Sequence, residues 1–200
     1  MSTRSTFTKG LLGLGLSLIA IPCFVFSFPP HDIYMLAPLG IALYLAASLM
    51  VERVLYAVGF GILIAIAAAR FLAGPGLDVS GSANIYAFFG CLGLIIGVTG
   101  GFACWAYRKL NPYLAWILIS LAAAGAEYTS ILLLPVTLSV SQHNNPSALF
   151  IASFLGIWGT TFVMWLVASS FAIAALSKAR ILAVAGVLAL TALIFLGSNQ

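Results

Sequence analysis

Charged side chains are scarce in this sequence: eight Lys or Arg and four Asp or Glu in 200 residues. Charged residues make up 6% of the chain and hydrophobic residues 63%, with a mean hydropathy of +1.17. Soluble domains run at about 25% charged and about 45–50% apolar. A soluble fold has too little polar surface to cover this chain, so the sequence is that of an integral membrane protein. The net charge of +4 does not mark a nucleic-acid binder, because the basic residues stand singly or in pairs and form no polybasic tail. Cysteine is scarce too. Cys23, Cys91 and Cys104 all lie in apolar runs. Cys91 and Cys104 sit about 20 Å apart along one expected helix, too far to bridge. With no CxxC, the three are read as small buried hydrophobes. The sequence also lacks an HExxH motif, a GxSxG elbow and a glycine-rich phosphate loop followed by lysine. No catalytic residue, metal site or cofactor is therefore expected.

What the sequence has in quantity is long apolar runs. A helix needs about 20 apolar residues to cross about 30 Å of hydrocarbon. Seven stretches qualify: Gly10–Phe28, Ile33–Val51, Val54–Ala73, Asn84–Tyr107, Pro112–Leu134, Ala148–Leu176 and Ile181–Gly197. They use nearly the whole chain. The expected architecture is an all-α integral membrane protein of about seven transmembrane helices, one transmembrane domain over residues 1–200 without a soluble domain. The first run follows a basic flank, as in a signal peptide. It is longer than the usual h-region, and no small-x-small site precedes Pro29-Pro30-His31-Asp32. It is read as a retained first span.

Arg4, Lys9, Arg53, Arg108, Lys109, Lys178 and Arg180 fall on one set of span ends, while the opposite loops carry His31, Asp32, Asp78 and His143 and no Lys or Arg. The positive-inside rule then puts the N-terminus in the cytoplasm. An odd number of spans puts Gln200 on the outer side. The longest outer loop, Pro135–Ser147, carries the turn signal Asn144-Asn145-Pro146. Trp158 and Trp165, inside the sixth span, are read as packing residues. Trp105, Tyr107, Tyr113 and Trp116 are read as an aromatic belt near the cytoplasmic ends.

Glu127 and Arg70 each lie roughly 24 Å above the cytoplasmic start of their helices. A charge inside a bilayer costs about 2.5–3.5 kcal/mol unless it is paired or wet. Three arrangements stay open: an ion pair between Glu127 and Arg70, an outward-facing polar cleft that receives a lipid headgroup or polar substrate, or a snorkelling Arg70 beside a protonated Glu127. Gly93, Gly97 and Gly101 recur every four residues on one face, suited to close helix packing, with a substrate path as the alternative. His31, Asp32 and His143 could in principle form an outer metal site but read as solvated loop residues.

The order of these features resembles the membrane half of apolipoprotein N-acyltransferase, the enzyme family that adds the third acyl chain to bacterial lipoproteins. Phe26-Ser27-Phe28-Pro29-Pro30 with His31-Asp32-Ile33-Tyr34 is similar to the family's FxPPxxxW opening of span two. Glu127 matches the acidic residue of its E-x-x-R stretch. Pro135 and Ser141-Gln142, followed here by His143, fall where the family has GFPW…GYSQ. Residues Pro146 to Phe162 resemble its P-L-x-Q-x-A…G-V-Y-G-L-S-F. The sequence also departs from the pattern. Glu127-Tyr128-Thr129-Ser130 has no arginine, Leu133-Leu134-Pro135-Val136 replaces Gly-Phe-Pro-Trp, and Ala67-Ala68-Ala69-Arg70-Phe71 replaces a tryptophan-rich end of span three. In the family, a nitrilase-type extracytoplasmic domain carries the catalytic Glu, Lys and Cys. It would begin near Gln200, and none of the three cysteines here has a setting that makes a reactive thiolate.

The resemblance implies one of two roles. The favoured one is a non-catalytic membrane module that binds lipid or a lipid-modified partner, or serves as a structural subunit of a membrane complex. The other is the membrane half of a split lipoprotein N-acyltransferase working with a separate nitrilase-type subunit. A small transporter ranks third, because no internal repeat or midplane helix break is evident. The expected partners are membrane lipids and membrane protein subunits, with no nucleic acid.

Overall fold

A computed structural model describes residues 3–28, 31–72, 83–130, 138–177, 179 and 181–188. All regular structure among them is helical: α1 (Thr3–Ser27), α2 (Leu36–Met50), α3 (Val54–Leu72), α4 (Ala83–Lys109), α5 (Pro112–Ser130), a 3-10 segment (Leu138–Gln142) and α6 (Pro146–Leu176), with further helix over residues 181–188. Residues 6–27 and 146–176 are long and apolar enough to cross a membrane, and α2 and residues 54–67 are apolar but shorter. The first six apolar runs thus correspond to α1–α6. The seventh is helical over 181–188, and its remainder, with Asp78, Pro135, Lys178 and Arg180, lies outside the described residues.

The bundle is built around α2, which packs against α1, α3, α4 and α6. Its small and aliphatic residues make this possible: Ala37, Gly40, Ile41, Tyr44, Leu45, Ala47, Ser48 and Leu49 are all buried. α2 starts at Leu36, later than the apolar run, because the chain turns first. Asp32 adopts a left-handed φ of 52°, and the amides of Ile33 and Leu36 bond to Phe26 O and Ile33 O. α1 lies against α2 and α3.

The most extensive helix pair is α3 with α4, and glycine sets its spacing. A Cβ on Gly61 would stand 2.6 Å from Gly97 Cα, and one on Gly97 would stand 2.7 Å from Val58 O. Gly93 and Gly101 face Ile62 and Val58 in the same seam. Tyr44 crosses to this pair, donating to Ile96 O at 2.5 Å. Cys23 and Cys104 are buried and free.

The sixth apolar run is not one straight helix. Asn145 caps it by accepting from Ser147 N at 3.1 Å, and Pro146 opens it. At Gly156 the backbone leaves the helix, with φ 68° and ψ −178°, a region essentially reserved for glycine. The helix then resumes to Leu176.

Large apolar side chains remain outside the bundle, among them Leu55, Phe71 and Phe154, each exposed by two thirds or more. Such surfaces suit hydrocarbon and not water.

Candidate functional site

Polar chemistry gathers at the two ends of the bundle. At the first end, the start of α1, the α2–α3 connection and the end of α4 meet. Lys9 Nζ reaches Glu52 Oε1 at 2.9 Å, and Thr6 donates to Oε2 at 3.0 Å. The Lys9 hydrogen bond, followed by that from Thr6, holds the Glu52 carboxyl below the usual glutamate range. Arg108 donates to Val51 O at 2.8 Å and to Glu52 O, satisfying two carbonyls just past the end of α2. Four of the seven residues counted as one basic side of the topology are thus gathered here, Lys9, Arg53, Arg108 and Lys109.

At the other end Glu127 sits in the last turns of α5, half-buried. Its Oε1 accepts from Trp165 Nε1 at 2.5 Å and its Oε2 from the Leu138 amide at 2.9 Å. α6 presents Trp158, Trp165 and Ser169 to α5 from successive turns. Trp158 packs edge-on against Tyr128, with ring centroids 5.0 Å apart, and Ser169 meets Ser120 at 2.9 Å. Trp116, read from sequence as a belt residue, instead turns inward and donates to Leu166 O at 2.7 Å. Glu127 therefore ties α5, α6 and the 3-10 segment together.

Arg70, on the last turn of α3, is exposed and makes no ion pair with Glu127; the ion pairs among the described residues are Lys9–Glu52 and His143–Asp32. Equal depth along two helices did not bring the two charges together.

Ser141 and Gln142 are buried beside this tie. Gln142 Nε2 donates to Tyr34 O at 2.9 Å, its Oε1 accepts from Asn145 Nδ2 at 2.9 Å, and Ser141 donates to Leu138 O at 2.6 Å. The long loop of the sequence reading is thus a hydrogen-bonded knot that docks on the turn before α2. His143 lies on its exposed side, where Nε2 comes within 3.8 Å of Asp32 Oδ1. His31 turns away and stacks edge-on against Phe26, with centroids 4.8 Å apart. The Gly93, Gly97 and Gly101 face belongs to the α3–α4 seam described above.

Sequence reasoning named Trp165, Tyr34 and Asn145 only as a packing residue, a motif position and a turn signal, and missed their hydrogen bonds to Glu127 and Gln142. The readable signal was that a buried indole N–H needs an acceptor. Chemically, Glu127, Ser141 and Gln142 act as acceptors and donors within the fold. Cys104 Sγ points at Val51 O, 3.5 Å away in the core, and so is no exposed nucleophile. No cluster of three metal-ligating side chains occurs among the described residues.

Comparison with curated proteins gave no match. A family model described as the apolipoprotein N-acyltransferase N-terminal domain matches residues 22–170. That range holds α2 to α5, the Glu127–Trp165 tie and the Gln142 knot. The chain is a membrane module of this kind and belongs to the apolipoprotein N-acyltransferase N-terminal domain family.

Proposed function

We propose that this chain is a non-catalytic, multi-pass module of the bacterial cytoplasmic membrane that binds lipid or a lipid-modified partner, alone or as a subunit of a membrane complex. About seven crossings, with the Lys9–Glu52–Arg108 end in the cytoplasm, fit the gathering of basic residues there. One observation carries the reading. Glu127, Ser141 and Gln142, the residues aligned with family motifs, are engaged in hydrogen bonds inside the fold. A carboxylate accepting from an indole and a backbone amide acts as a strut between helices, which suits a scaffold. Around it, Tyr128, Val140, Leu149 and Phe154 leave an apolar outer surface suited to acyl chains.

The experiment is reconstitution of the purified chain in phospholipid vesicles with a diacylated lipoprotein acceptor. The expected result is phospholipid retained on the protein by native mass spectrometry, with no acyl chain transferred. Transfer by the chain alone would overturn the reading. Transfer appearing only when a nitrilase-type subunit is added would install the split enzyme in its place.

A further inference from the structure

The contact between His143 and Asp32 joins two segments far apart in the sequence, and its geometry is one proton short. His143 Nδ1 lies 3.2 Å from Val140 O. A carbonyl only accepts, so Nδ1 carries the ring proton in the neutral imidazole. Nε2 then turns a lone pair toward Asp32 Oδ1, 3.8 Å away. That oxygen is shielded from solvent and has no hydrogen-bond partner. Two acceptors face each other, and Asp32 is held there by a left-handed backbone, with its own carbonyl accepting from the Tyr34 amide at 2.9 Å.

We infer that His143 and Asp32 form a proton-operated latch between the 138–145 segment and the α1–α2 turn. A proton taken from solvent onto Nε2 converts that acceptor into a charged donor. The N–H then meets the waiting carboxylate oxygen. Of the other groups near the latch, the His31 ring stacks on Phe26, Tyr34 accepts from Gln142 Nε2 through its backbone carbonyl, and Glu127 holds Trp165 and Leu138. The start of α6, Pro146 to Ser153, carries no titratable residue. An interaction made only by the protonated ring stabilises at low pH and is lost as the pH rises through the imidazole range of about 5 to 8. Both side chains are partly exposed, so the latch is also weakened by salt.

Amide hydrogen exchange in nanodiscs, corrected for intrinsic rates, tests this. In the wild type the 138–145 segment and the α1–α2 turn should be about threefold better protected at pH 5.5 than at pH 8, the size of a partly exposed pair. The His143→Gln and Asp32→Asn variants should each lose that difference, and the double variant should match the singles. Asn tolerates the left-handed backbone at position 32, so this turn survives the substitution. Equal wild-type protection at both pH values would overturn the latch. So would a pH difference that persists in either single variant.

Discussion

Glu52 and Glu127 stand at opposite ends of the same bundle and are stabilised by different kinds of partner. Glu52 lies in the short connection between α2 and α3, with Lys9 and Thr6 on its carboxylate and Arg108 on its carbonyl. Glu127 lies on a helix among apolar neighbours and is held by an indole N–H and a backbone amide. Where water reaches, a countercharge is available and worth little, because solvent already screens both partners. Among apolar neighbours, losing a fixed donor costs more, because fewer other groups can replace it. The contrast leads to the expectation that the neutral donors on Glu127 weigh more in stability than the ion pair at Glu52.

The largest expected effect tests the neutral end. Trp165→Phe keeps an aromatic ring, smaller than the indole, and removes the donor to Glu127, and should destabilise by about 1–3 kcal/mol in reversible SDS or thermal unfolding. Adding Glu127→Leu to that variant should cost less than the two single effects combined, because the orphaned oxygen is gone. If Trp165→Phe proves no worse than Lys9→Met, the contrast between the ends collapses. A smaller effect sharpens it. Asn145→Ala removes both the cap of α6 and a donor to Gln142, for an expected loss of about 1 kcal/mol by the same unfolding assay. The smallest belongs to the ionic end. The Glu52 carboxyl is depressed by its Lys9 and Thr6 hydrogen bonds, so its contribution is present above the unfolded glutamate value of about 4.3 and fades as the pH falls through the lower folded one. Melting curves from pH 6 to pH 3 should therefore fall less steeply in Lys9→Met than in wild type, with the difference vanishing in 1 M salt.

Much of the helix order was legible because each apolar run announces itself by length alone. So was the face shared by Gly93, Gly97 and Gly101, since a spacing of four fixes their common side. The expected meeting of Glu127 with Arg70 shows where such reading stops. Residue counting gives height along a helix but not the direction a side chain points or which helix stands beside it. Trp165 looked like one more apolar residue because its single N–H is invisible to hydropathy, and its partner lies 38 residues earlier. The Gln142 knot was hidden for a similar reason: its acceptor is the backbone of Tyr34, and a carbonyl leaves no trace in composition. Asp32 and His143 were noted together in sequence as loop residues, yet only the docking of that knot brings them within 3.8 Å.

The departure at Gly156 has a kinetic consequence. It divides α6 into an outer piece of ten residues, Pro146 to Leu155, and an inner piece continuous with the core. The outer piece has its own cap at Asn145 and largely exposed side chains at Ser153, Phe154 and Leu155. Fraying can therefore begin and end within that piece while Trp165 keeps its grip on Glu127, so two regions of one continuous sequence relax on separate clocks.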